Sequence, residues 1–131
     1  MAGRFSEMQI PLRWTDFDTA GHVTDTAYPS FLSEGRGMYI ARRLGPYTDW
    51  PCVVRSVLVD YRTEIRYPAP YVVVHTRIAG IGRSGINFEQ EIRKPDGSLA
   101  ATSTATVVAF DPASRSAREI SPDHRSRLLA S

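Results

Sequence analysis

Arg13-Trp-Thr-Asp-Phe-Asp-Thr-Ala-Gly-His-Val-Thr-Asp-Thr-Ala-Tyr-Pro29 is the stretch around which the chain is organised. It joins an apolar strand to a helix through a turn at residues 19–21, and two carboxylates, Asp16 and Asp18, stand at the junction. Thr24, Asp25 and Thr26 are all residue types that cap helix N-termini, and Pro29 suits a first helical turn. An acid placed just before such a start lies near backbone N–H groups that have no acceptor within the helix.

Upstream, residues 5–14 alternate loosely between apolar and polar, and Pro11 among them predicts an edge or irregular strand. Downstream, the spacing predicts a helix over about 26–43 with an apolar stripe of Tyr28, Phe31, Leu32, Gly35, Met38 and Tyr39. Gly35 on that stripe costs roughly 1 kcal/mol of helix propensity against alanine, which implies a close approach by another element. A sheet wrapped tightly around the helix would supply it.

A loop over 44–51, rich in glycine and proline, precedes a series of strands. Residues 57–66 read as a long half-buried strand with positions 57, 59, 61 and 65 on one face and Asp60, Arg62, Glu64 and Arg66 on the other. Strands over 72–81, 86–92 and 99–110 follow, separated by a reversal at 82–85 and a hairpin turn at Pro95-Asp-Gly97. In the last, Ala101, Ala105, Val107 and Ala109 alternate with Thr102, Thr104 and Thr106. Ser121 with Pro122 opens a short helix ending near Leu129. Strand, long helix and four antiparallel strands make an α+β domain with one helix across one sheet face, spanning residues 1–131. One helix covers only part of such a sheet, so the long edge strands point to a homodimer, or to a homotetramer built from it.

Composition narrows the function. At 131 residues and 42% hydrophobic content the chain has length for one core. A net charge of +2 with scattered carriers forms no nucleic-acid stripe. Cys52, the only cysteine, permits no intrachain disulfide, and no apolar run approaches membrane-span length. A soluble cytoplasmic protein without a membrane partner is the expectation. Lys94 is the only lysine, so nearly all positive charge is arginine, whose fork suits phosphate and carboxylate, although a codon-composition effect explains the excess equally.

For Asp16 and Asp18 the default role is hydrogen bonding within the turn. The acyl-chemistry alternative is physically reasonable: helix-start N–H groups hold a developing oxyanion, a donor worth roughly 3 kcal/mol of barrier, while a carboxylate attacks the carbonyl or activates water. His22 alone supplies no recognisable metal-ligand set.

The pattern Arg13-Trp-x-Asp-x-Asp-x-x-Gly-His-Val-x-x-x-x-Tyr28, with Phe31, Leu32, Glu34 and Arg36 after it, resembles the opening of hotdog-fold acyl-CoA thioesterases, nearest the 4-hydroxybenzoyl-CoA thioesterase-like group. The resemblance continues through residues 57–62, 72–84 and the Gly97 hairpin. It implies a hotdog fold, an antiparallel sheet wrapped around one long central helix. It also implies Asp18 as nucleophile or general base, Gly21 opening the turn, and a backbone N–H near Asp25 as oxyanion donor. His22 would hold the turn or move a proton. Arg83, with Ser84, would contact CoA phosphates; Tyr28 and Arg62 join the substrate-binding candidates, Arg62 also having acidic neighbours with which to form surface ion pairs. The substrate would be a small or medium acyl-CoA or an acyl carrier protein thioester, with no cofactor. Where many relatives carry an Asn pair this chain has Thr24 and Asp25, which keeps a non-catalytic acyl-thioester binder and, further off, a hotdog hydratase or dehydratase as alternatives.

Overall fold

The computed structural model describes residues 4–130, so the outermost residues of the expected 1–131 span lie outside the described residues. Strand β1 (Ser6–Pro11) leads through short 3-10 turns at Trp14–Asp16 and Asp25–Ala27 to helix α1 (Tyr28–Leu44). A further 3-10 turn precedes β2 (Cys52–Tyr61), β3 (Tyr71–Ile81), β4 (Gly85–Arg93) and β5 (Leu99–Asp111). A short β6 (Ser116–Ala117) and helix α2 (Pro122–Leu129) close the chain. The sheet runs β1-β3-β4-β5-β2, antiparallel throughout, with β6 beside β5.

The alternation in β3, β4 and β5 sends Val74, Ile78, Phe88, Ile92, Ala105 and Val107 to the helix side, where they are buried. Phe31, Leu32, Tyr39 and Ile40 of α1 pack onto them. Gly35 is where helix and sheet come closest: a Cβ there would lie 2.7 Å from Val74 Cγ1 and 2.8 Å from Thr76 Oγ1. Beside it a polar band ties α1 to the sheet. Arg36 Nη1 donates to Gln90 Oε1 at 3.0 Å, and Gln90 Nε2 donates to the Leu32 carbonyl at 2.9 Å and to Thr76 Oγ1 at 3.0 Å. At the far end, Tyr39 donates its hydroxyl to the Leu128 carbonyl and Trp50 Nε1 donates to His124 Nδ1, which seats α2. Ser121 caps α2 as expected, accepting from the His124 N–H at 3.1 Å. A curled antiparallel sheet around one long helix is the hotdog arrangement.

Several expectations are corrected. Strand β1 stops at Pro11, short of the expected residue 14, and Trp14 at that end is 82% exposed. None of Thr24, Asp25 or Thr26 caps α1 with its side chain; Asp25 opens a 3-10 turn and the α-helix N-cap is Ala27. Met38 lies at the exposed border of the stripe. Strand β2 begins at Cys52, five residues earlier than expected, and ends at Tyr61, leaving Ile65 beyond it. It is not half-buried either: Val53, Val54, Val57, Leu58 and Tyr61 are all exposed, because β2 is a sheet edge that the body of the helix leaves uncovered. No helix among the described residues is long and apolar enough to cross a membrane.

Candidate active site

Beyond β1, Asp16 turns inward and is buried. Its Oδ2 accepts the Arg13 N–H at 2.7 Å and its Oδ1 accepts from Arg13 Nη2 at 3.0 Å, while its carbonyl accepts the Thr24 N–H. Asp16 therefore staples the two ends of the loop together. Between them Phe17 and Val23 form an antiparallel bridge, and the Asp18 N–H donates to the His22 carbonyl at 2.9 Å. Gly21 makes the reversal possible with φ of 82°, a left-handed conformation that costs other residues energy. Its N–H donates to the Asp18 carbonyl, and its own carbonyl accepts the Tyr67 N–H. With the Val23 N–H on the Ile65 carbonyl, the loop is sewn to the segment that follows β2.

This stitching fixes the Asp18 carboxylate. Oδ1 accepts the Ala20 N–H at 2.9 Å and the His22 N–H at 3.4 Å; Oδ2 lies 3.5 Å from His22 Nδ1. The turn-stabilising role is thus real, but it occupies mainly one oxygen, and the side chain borders an open hollow of about 620 Å³ walled by Trp14, Phe17 and Tyr67. His22 Nδ1 stands 3.1 Å from the Val23 carbonyl, which can only accept, so in the neutral ring the geometry assigns the hydrogen to Nδ1 and the lone pair to Nε2.

Asp25 faces a second hollow, of about 280 Å³, with His22, Tyr28, Tyr61, Arg62 and Thr63. His22 stands between the two. The N–H groups of Asp25 and Thr26 open the 3-10 turn, the position at which a helix start leaves donors unsatisfied. Tyr61 donates its hydroxyl to the Asp25 carbonyl at 3.1 Å, bracing the turn from β2. Tyr28 is buried against Tyr61, ring centroids 4.9 Å apart, and lines this hollow from below. Burial, then the neighbouring Tyr61 and Glu64, push its hydroxyl pKa up to about 12.

The CoA-binding candidates fall at different places. Arg62 borders the second hollow with Nε on Asp60 Oδ2 at 3.0 Å, so its surface ion pair is made with a residue two positions back and not with the glutamates Glu64, Glu89 and Glu91 expected as its partners. Arg83 and Ser84 form the β3–β4 turn, at the end of the sheet opposite Asp18: β1 and β3 meet at Pro11 and Tyr71 near the Asp18 loop, and β3 runs eleven residues, roughly 33 Å, before that turn. There Arg83 Nε lies 3.5 Å from Glu119 Oε2. One chain does not bring Arg83 or Ser84 to Asp18. Sequence reasoning missed Tyr67 and Tyr61 as wall and brace; Tyr67 follows no pattern, whereas the aromatic closing β2 was a usable signal. Among the described residues no group of three or more His, Cys, Asp or Glu stands ready to hold a metal ion.

Comparison with known proteins bears on this geometry. No curated protein sequence is significantly similar to the chain. A predicted thioesterase from Bacillus stearothermophilus superposes with a TM-score of 0.86 at 25% identity, over 95% of this chain and 93% of that one. A thioesterase from Thermus thermophilus, complexed with coenzyme A and Zn, gives 0.84 at 25% identity over 95% and 97%. The fold is also that of a DHNA-CoA thioesterase from Staphylococcus aureus, with a TM-score of 0.84 at 22% identity over 94% and 87%. The sequence pattern of the Thioesterase-like superfamily matches residues 12–128, nearly the whole chain, and the chain belongs to that superfamily of hotdog thioester hydrolases.

Proposed function

We propose that this protein hydrolyses acyl-CoA thioesters, with Asp18 as general base or nucleophile and a helix-start N–H, from Asp25 or Thr26, holding the oxyanion. The observation that carries the reading is the Asp18 carboxylate: one oxygen is pinned by two backbone N–H groups while the side chain borders an open hollow. As general base, Asp18 takes a proton from water as the hydroxyl bonds to the acyl carbon. The C–S bond then breaks, and the proton goes to the departing CoA thiolate. His22 orients the turn, and its Nε2 lone pair is free to accept a proton.

The working unit is a homodimer built on the bare β2 edge, and its natural setting is the cytoplasm. Antiparallel pairing of β2 with its copy exchanges strand ends, so the Arg83 end of one chain meets the Asp18 end of the other. That crossing lets Arg83 and Ser84 serve a site from which they are remote in their own chain. The test is thiol release from an acyl-CoA panel, corrected for the one thiol that exposed Cys52 contributes. Asp18→Asn is expected to lower the rate by at least about two orders of magnitude. A variant retaining the full rate overturns the assignment of Asp18, and tight acyl-CoA binding without thiol release marks a binding protein instead.

A further inference from the structure

A cavity of about 460 Å³ opens between α1 and the start of β2, lined by Arg36, Gly37, Ile40, Trp50, Cys52 and Val54. Its size is within the range of small-molecule pockets, and its wall is mostly apolar. Arg36 is the exception. Its residue is only 6% exposed, yet among the described residues the one side-chain acceptor it meets is the neutral Gln90 amide at 3.0 Å. Burial works against its charge, and among the described residues the only group that favours the charge is Cys52, with no carboxylate contributing. Buried guanidinium groups are ordinarily paired with an anion, because an uncompensated charge out of water is costly.

A second guanidinium stands behind the same wall. Arg118 lies over the Trp50 ring, 5.3 Å from the centroid, and its Nη2 is buried with no hydrogen-bond partner among the described residues. Asp111 is within its electrostatic reach, but Cys52 feels both Arg118 and Arg36. Gly37 leaves the cavity room: a Cβ there would meet nothing within 4 Å, whereas the neighbouring Gly35 is tightly enclosed.

We infer that this cavity seats the far end of the acyl group and selects a monothioester of a medium-length dicarboxylic acid, whose free carboxylate pairs with Arg36. The methylene segment lies on Ile40, Trp50 and Val54, and the carboxylate supplies the planar, bidentate acceptor that the rest of the guanidinium fork lacks. Hydrolysis adds water across the C–S bond and releases the dicarboxylate and the CoA thiol. Assigning the cavity to the acyl group rests on the thioesterase reading, in which β2 pairing carries the partner's Asp18 toward this end of the sheet.

The test compares suberoyl-CoA with octanoyl-CoA, which match in chain length and differ in the terminal carboxylate. Wild-type kcat/KM is expected to favour suberoyl-CoA by about tenfold or more, a difference of about 1.4 kcal/mol. Arg36→Met should bring the ratio toward one. Because Gln90 loses a partner in that variant, Gly37→Leu gives a second route: it fills the cavity from a position with free space and should raise KM for suberoyl-CoA. Binding is read separately in a Trp14→Phe protein, where Trp50 is the remaining indole. Free suberate should change its fluorescence saturably, and octanoate should not. Hydrolysis of octanoyl-CoA as fast as suberoyl-CoA, with no suberate effect on Trp50, overturns this inference and leaves the thioesterase reading standing. Suberate binding that Gly37→Leu abolishes, in a protein that cleaves neither thioester, supports the cavity assignment while the hydrolytic reading falls.

Discussion

Two aspartates two positions apart have different fates, and backbone partners decide which does what. Asp16 is buried with both oxygens on Arg13, so it has no reach toward a substrate. Asp18 stays at the surface with one oxygen pinned. The same scale makes Tyr28 a reporter of the helix start. Its ring is packed between Phe31 and Tyr61, and its hydroxyl pKa is raised to about 12, chiefly by burial. An ordinary tyrosine ionises near 10. The folded protein therefore holds this proton more tightly than the unfolded chain. The corresponding stability, roughly 2 to 3 kcal/mol, is fully present below about pH 10 and is lost as pH rises through 12. Urea midpoints measured from pH 8 to 11.5 should fall above pH 10 in the wild type and fall less steeply in Tyr28→Phe; parallel curves would contradict the assignment.

At the scale of elements, α1 and the three central strands are legible in the sequence because their cover comes from the chain itself. The alternation in β3 to β5 and the stripe of α1 describe two surfaces that bury each other. Gly35, singled out as a helix-breaking residue on an apolar stripe, is enclosed by Val74 and Thr76. Gly35→Ala, which elsewhere in a helix would stabilise, should destabilise by roughly 1 to 3 kcal/mol through overpacking. Gly37→Ala, two residues on with open space above it, should gain up to about 1 kcal/mol. Thermal unfolding of the two variants is the check, and a shift of the same sign in both would refute the close approach. The helix start was less legible: three capping residue types in a row gave no ranking, and the turn is set instead by the Thr24 N–H on Asp16 and the Tyr61 hydroxyl on Asp25. The loop around Asp18 depends on the Ile65 carbonyl and the Tyr67 N–H, partners more than forty residues away that local pattern cannot supply. Arg36 counted in the sequence only as part of the family pattern, and its burial went unread because a helix arginine outside the stripe ordinarily reads as solvated.

At the scale of the whole molecule, β2 is the edge strand on which the proposed dimer rests. Its sequence alternates as if one face were buried, yet Val54 and Val57 on the helix side and Leu58 on the other are exposed, Leu58 at 67%. A ten-residue apolar edge with unpaired backbone groups is a pairing surface that monomeric proteins avoid. In the proposed dimer, antiparallel self-pairing would satisfy those groups, cover the valines and set the Arg36 cavity of each chain beside the helix start of the other. In solution the mass should be twice 14.6 kDa or a multiple of that, as read by light scattering or sedimentation. Val57→Lys with Leu58→Lys places like charges near the two-fold axis on both faces of the edge, and Arg55 of the opposite copy adds to the repulsion. The double variant should sediment as a monomer at micromolar concentration, keep its far-ultraviolet circular dichroism, and lose at least about tenfold in thiol release, since each chain then lacks what its partner brings. Val57→Thr, which preserves the β-branched shape without charge, should remain paired and active. A charged variant that stays dimeric would move the interface away from β2. A monomer with undiminished turnover would show that one chain completes the site, and would remove the reason for the crossed arrangement of Asp18, Arg83 and the Arg36 cavity.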